Sequence, residues 1–279
     1  MVSDLSIIKL ETEEDLESLL YEMRRIDYNF VFDVHCHVDS DMYSEEKRRE
    51  VIRRAIKNKV KMVTVPLSNV ERIRALNLLE EYPKWIYVVT GSHPLIEEDL
   101  REVERFIREN NDKIVGIGEV GLDFKPPNNS FDAMKKQIEK FEFFIDLSFE
   151  LDKPLVIHSR SAGRQSIDVL LKKRAERVLM HAFSGNVKYV RRGVQAGYYF
   201  SVPPTAFRNK QKINLVKAVP IEQLMLETDS PVLAPLPNII NEPLNVFVSA
   251  YVVAVIKDMD PREVIDQTTK NAREFFNIK

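Results

Sequence analysis

Eight short runs rich in β-branched and aliphatic residues recur along this chain, at 30–34, 61–65, 86–90, 114–118, 154–157, 177–180, 198–201 and 223–226. Between them lie charged segments with helical periodicity, at 45–58, 69–81, 97–110, 131–150, 162–173 and 187–196. Strands that alternate with helices run parallel, because each helix carries the chain back to the edge it started from. Eight such units are the count that closes on itself. The expected fold is therefore a single α/β domain, a (β/α)8 TIM-type barrel, rather than an open doubly wound sheet. No glycine-rich linker or internal repeat divides the 279 residues. Residues 1–29 precede the first strand and read as an N-terminal helical extension, with a helix over 12–25 covering the bottom of a barrel that occupies 30–279.

Composition narrows the function classes. A hydrophobic fraction of 44% with 30% charged residues suits a soluble domain with a large core. The net charge of −2 argues against a protein that coats nucleic acid through overall basicity, yet it leaves room for one basic groove. Cys36 is the single cysteine, which excludes an internal disulfide and fits a reducing compartment. The N-terminus is acidic and lacks the pattern of a signal peptide, and the most apolar long stretch, 246–256, is too short to span a bilayer. These features lead to a cytoplasmic protein with no membrane partner.

All five histidines, His35, His37, His93, His158 and His181, fall just after an expected strand, on the first, first, third, fifth and sixth in turn. In a barrel those strand ends meet at one rim, where catalytic groups sit. In Asp33-Val-His35-Cys-His37-Val-Asp39, alternate residues share a side, so both imidazoles reach one ion while Cys36 faces the core. Glu119 follows a buried strand among Gly116, Gly118 and Gly121, small neighbours that would allow a ligand to approach. Asp229 ends the eighth strand before Ser230-Pro231, and Arg160 lies two residues beyond His158. Imidazoles and carboxylates converging on one rim match a one- or two-metal hydrolytic site.

The ordered motifs Asp33-Val-His-Cys-His37, Gly91-Ser-His-Pro94, Gly118-Glu-Val-Gly-Leu-Asp123, Ile157-His-Ser-Arg160, His181-Ala-Phe-Ser-Gly185, Glu227-Thr-Asp-Ser-Pro231, Asn241-Glu-Pro243 and Thr269-Lys-Asn-Ala272 resemble the TatD family of metal-dependent deoxyribonucleases. The resemblance runs from about Phe32 to the end. It implies two divalent ions (zinc, magnesium or manganese): one held by His35, His37 and Asp229, a second by His158 and His181, with Glu119 bridging. It also implies hydrolysis of DNA phosphodiester bonds, of the 3′–5′ exonuclease type, on single strands or frayed 3′ ends. Asp229 would orient or deprotonate the water, Arg160 and His93 would hold phosphate, and Asp123, Asn241 and Glu242 would support the site.

Further features bear on the substrate. Arg164, Lys188, Arg191, Arg208 and Lys210 lie where either a basic groove or a solvated helix face would run, and Phe124, Phe183 and Phe207 lie where they would either stack on bases or pack the loops. Two departures from the family pattern stand out. Leu95 follows Pro94 where relatives carry a second histidine, and the run 232–240 is uncharged where relatives carry basic residues. Both remove phosphate contacts, so the alternative reading is a metal-dependent ester or amide hydrolase, acting for example on lactones or aminoacyl-tRNA esters.

Overall fold

The computed structural model describes residues 10–278. Eight parallel strands form one sheet whose neighbours follow chain order: β1 (Val31–Cys36), β2 (Val60–Thr64), β3 (Ile86–Thr90), β4 (Ile114–Gly121), β5 (Leu155–His158), β6 (Val178–Met180), β7 (Tyr199–Val202) and β8 (Leu224–Leu226). Helices alternate with them: α1 (Glu13–Arg24), α2 (Glu45–Lys57), α3 (Asn69–Glu81), α4 (Leu100–Glu109), α5 (Phe131–Leu151), α6 (Gly163–Lys173), α7 (Val187–Gln195), α8 (Lys210–Ala218), α9 (Val246–Lys257) and α10 (Pro261–Phe276). The expected (β/α)8 barrel is what forms. Local chemistry sets the boundaries. Ser44 caps α2, Ser68 and Glu71 make a capping box on α3, and Asp260 caps α10 ahead of Pro261.

The core has two layers. Phe32, Val34, Val63, Val89, Val156, Leu179 and Met225 point into the barrel, while a larger cluster packs between strands and helices. The inner cluster continues into Ala272, Phe275, Phe276 and Ile278, and Phe275 packs on Tyr199 at the start of β7 with ring centroids 5.4 Å apart. The C-terminal helix therefore plugs the bottom. This corrects the expectation for the N-terminal segment. Leu16, Leu20 and Met23 of α1 are buried, and the helix packs along α9 on the barrel's flank. Tyr28 meets Phe247 at 5.4 Å, and the Leu10 carbonyl accepts from Arg208 beyond β7. Residues 1–9 of the extension lie outside the described residues.

Closure between β8 and β1 uses few bonds. The buried Asp33 carboxylate accepts from the Thr228 N–H at 2.8 Å and its hydroxyl at 2.5 Å. One step higher, the Asp229 N–H donates to the His35 carbonyl at 2.8 Å, and the His37 N–H to the Ser230 carbonyl at 2.7 Å.

Two strands carry an extra residue near the rim. Between Asp33 and Cys36, β1 advances three residues while β2 advances two, and between Ile117 and Val120, β4 does the same against β5. Such bulges re-aim the side chains they contain, and these contain His35 and Glu119. The glycines around Glu119 serve the same strand pair. A Cβ on Gly118 would sit 2.6 Å from the Val156 carbonyl oxygen, and one on Gly121, at φ +136°, would sit 2.2 Å from that of His158. They make room for β5 rather than for a ligand.

Phe276→Ala is expected to cost about 3–5 kcal/mol of unfolding free energy in urea titrations, because it hollows the bottom plug. A loss below about 1 kcal/mol would contradict that role.

Candidate metal centre

At the carboxyl ends of the strands, β1 supplies His35 and, one residue past its end, His37; β4 supplies Glu119, and His158 ends β5. His181 follows β6 directly, and Asp229 stands three residues past β8. The six come together. His35 Nε2 lies 3.6 Å from Glu119 Oε2 and 3.6 Å from Asp229 Oδ1, and His37 Nε2 lies 3.2 Å from Asp229 Oδ1. On the other side of Glu119, Oε1 is in contact with His158 Nδ1 and lies 3.6 Å from His181 Nε2. The rings of His35 and His181 stack at 3.5 Å. Four sets of three donors, each within 4.8 Å of one another, have the spacing an ion needs: His35, His37 and Glu119; His35, His181 and Asp229; Glu119, His158 and His181; and His93, Asp123 and His158.

Three of these imidazoles are held by their outer nitrogen. His37 Nδ1 is 2.6 Å from the Val65 carbonyl, His158 Nε2 is 3.1 Å from Asp123 Oδ2, and His181 Nδ1 is 2.6 Å from Glu227 Oε2. Such partners fix ring orientation and tautomer. Glu227 is the residue that sequence reasoning missed. Its carboxylate is fully buried and also accepts from the Ala182 N–H at 2.9 Å and the Ser201 hydroxyl at 2.7 Å. The Glu-Thr-Asp sequence was the available signal. His35 differs: both its ring nitrogens are buried without a hydrogen-bond partner.

Charge follows this geometry. Burial alone would raise the Glu119 carboxyl, but the imidazoles of His158, His35 and His181 outweigh it and hold the group well below its ordinary value. Burial would likewise lower His37 and His158, yet contact with Asp229 in one case and with Glu119 and Asp123 in the other raises both. Backbone strain gathers here as well. Ser161, Ala182 and Asp229 have φ of +58°, +35° and +56°, a region non-glycine residues seldom adopt away from helix ends.

Asp123 Oδ2 also accepts from Arg160 Nε at 2.7 Å, and the Arg160 side chain is half-exposed. His93 packs edge-on against His158 at 4.5 Å, and its Nδ1 accepts from the Leu95 N–H at 3.2 Å, which leaves the ring proton on Nε2. Of the two readings of the phenylalanines, packing is the one that the burial of Phe124 and Phe183 favours. Phe124 and Phe183 are buried, Phe183 against Phe200, and Phe207 lies under the Arg208 guanidinium. Of the expected basic residues, Lys188, Arg191 and Lys210 are exposed, while Arg164 pairs with Asp168. Asn241 orders the loop after β8 by donating to the Thr228 and Val232 carbonyls.

A parallel barrel that gathers imidazoles and carboxylates at this rim is the architecture of a metal-dependent hydrolase. The family profile described as TatD related DNase matches residues 32–277. Human deoxyribonuclease TATDN3 is 37% identical over 257 residues, covering 88% of this chain and 93% of that protein. A metal-dependent hydrolase of Methanocaldococcus jannaschii is 34% identical over 258 residues, covering 91% and 98%. Among solved structures, YjjV, a TatD homolog from Escherichia coli K12, superposes with a TM-score of 0.80 at 24% identity, over 89% of this chain and 98% of that one, which shows the shared fold. The chain belongs to the TatD related DNase family and is a metal-dependent hydrolase. No helix among the described residues is long and apolar enough to cross a membrane.

Burial brings His93 down to about 4. With a folded value below its unfolded one, its contribution to stability is complete above the unfolded value and is lost as pH falls through about 4. Histidine NMR of the chelator-treated protein is expected to show one imidazole titrating near 4 and absent in His93→Gln. A midpoint near its ordinary value of 6.5 would contradict this.

Proposed function

We propose that this chain is a deoxyribonuclease that hydrolyses phosphodiester bonds at a centre made of His35, His37, Glu119, His158, His181 and Asp229, trimming single-stranded or frayed DNA from 3′ ends. The observation that carries the reading is the position of Glu119. Its Oε2 faces His35, which with His37 shares Asp229, and its Oε1 faces His158 and His181. A carboxylate whose two oxygens address two imidazole sets suits a bridge between two cations. The partnerless His35 ring and a donor set with four imidazoles and two carboxylates fit zinc or manganese better than magnesium, which prefers oxygen ligands.

Bound divalent ions would polarise a phosphoryl oxygen and acidify a water. The protein's own groups do the rest. Asp229, whose Oδ1 faces His35 and His37, takes the proton from the water as its oxygen bonds to phosphorus, while the phosphorus–oxygen bond to the rest of the strand breaks and the departing oxygen takes a proton from solvent. Glu119 holds the charge that keeps the centre together. Arg160, fixed through Nε by Asp123, offers its remaining N–H groups to a non-bridging phosphate oxygen, where a guanidinium matches the geometry. His93, neutral and carrying its proton on Nε2, donates a hydrogen bond to phosphate without adding charge.

A second reading, ester or amide hydrolysis, draws support from the loop after β8. There Val232, Leu233 and Ile240 are exposed and no cation stands between 230 and 240. One preparation separates the two. Chelator-stripped protein resupplied with Mg²⁺, Mn²⁺ or Zn²⁺ is expected to shorten end-labelled single-stranded DNA from the 3′ end. Glu119→Ala is expected to lower the rate by at least about a hundredfold, and Arg160→Ala chiefly to raise KM. Intact DNA with every metal, alongside turnover of a carboxyl ester, would overturn the nuclease reading in favour of the second.

A further inference from the structure

Beyond the donor residues themselves, we propose that Lys212 is a positioning residue that holds His181 in place for metal binding. The inference rests on the metal centre proposed above. Lys212 lies in the first turn of α8, and its Nζ donates to the carbonyl oxygens of Ala182 and, at 2.8 Å, Phe183. These are the two residues that follow His181.

Two successive carbonyls aimed at one point repel each other. An ammonium with three donors between them satisfies both at once. The peptide they belong to needs such help, because Ala182 sits at φ +35°. From the opposite face, Glu227 accepts from the Ala182 N–H at 2.9 Å and from His181 Nδ1 at 2.6 Å. The segment after β6 is thus pinned on both sides, by an anion at its N–H and a cation at its carbonyls. That arrangement sets the direction in which His181 Nε2 faces Glu119. Lys140 repeats the device on another loop, where its Nζ donates to the carbonyls of His93 at 2.8 Å and Ile96 at 2.7 Å.

A lysine beside a cation site has two opposed effects. Its charge repels the ion, so removing it tightens binding. Its hydrogen bonds hold a donor in place, so removing it loosens binding. The positioning role requires the second effect to win, and the sign of the change decides between them.

The test titrates chelator-stripped full-length protein with Co²⁺, followed by calorimetry and by the visible absorption of the bound ion. Wild type is expected to take two ions. In Lys212→Met one ion is expected to bind as before, while the other weakens by about 10–100-fold with a changed absorption spectrum. Lys212→Arg, which keeps a multidentate cation, is expected to restore most of that loss. Should Lys212→Met fail to fold, Lys212→Gln, which retains one donor, serves with the same expectation. Two ions bound unchanged or more tightly in Lys212→Met or Lys212→Gln would overturn the role of Lys212 alone. A wild type that takes up no ion would overturn the metal centre and this inference with it.

Discussion

Between β8 and β1 the barrel is held by a buried carboxylate and a few backbone bonds. Asp33 takes both the N–H and the hydroxyl of Thr228, and directly above it the Asp229 N–H reaches the His35 carbonyl and the His37 N–H reaches the Ser230 carbonyl. Asp33 is kept uncharged more readily than an ordinary aspartate, since burial raises its pKa well above the usual value despite the Thr228 bonds. The same contacts that close the barrel set His35, His37 and Asp229 beside one another. Closure and site assembly are one event at this seam, and a slip of one residue there would move all three donors.

The site depends on rigidity arranged around it. Of the four imidazoles that face Glu119 or Asp229, three are tied through their other nitrogen, His37 to Val65, His158 to Asp123 and His181 to Glu227, while His35 has no such anchor. These anchors lie one or two residues past β2, β4 and β8, so each of the three rings is oriented by a segment that follows a strand other than its own. Asp123 has a double duty, because it also steers Arg160. A donor set prearranged in this way spends little free energy on reorganisation when charge develops in a reaction. The backbone strain at Ser161, Ala182 and Asp229 is the local cost of that arrangement.

Much of the fold was legible because its signals are local. Alternation of short apolar runs with amphipathic segments marked all eight strands to within a few residues, and the histidines marked the rim because strand ends converge in any parallel barrel. Other features depend on contacts distant in sequence and left little trace. The bulges that re-aim His35 and Glu119 appear only when β1 is set against β2 and β4 against β5. Gly118 and Gly121 suggested space for a ligand, whereas the space belongs to β5. The bottom plug escaped notice because it depends on contacts that join the chain's last helix to the strand starts, such as Phe275 on Tyr199. Phe183 suggested a stacking platform or loop packing, and its ring is taken up by Phe200 in the layer between strands and helices. Placement at strand ends singled out the candidate donors, and the family resemblance divided them between two ions. Glu227 and Lys212, which hold those donors without being among them, emerged only from the three-dimensional contacts.

The proposed centre places two cations on either side of Glu119. Anomalous diffraction from crystals grown with Mn²⁺ or Zn²⁺ tests it most directly. Two peaks are expected to flank the Glu119 carboxylate, one ringed by His35, His37 and Asp229 and the other by His158 and His181. Peaks elsewhere on the molecule, or none at this rim at saturating metal, would contradict it.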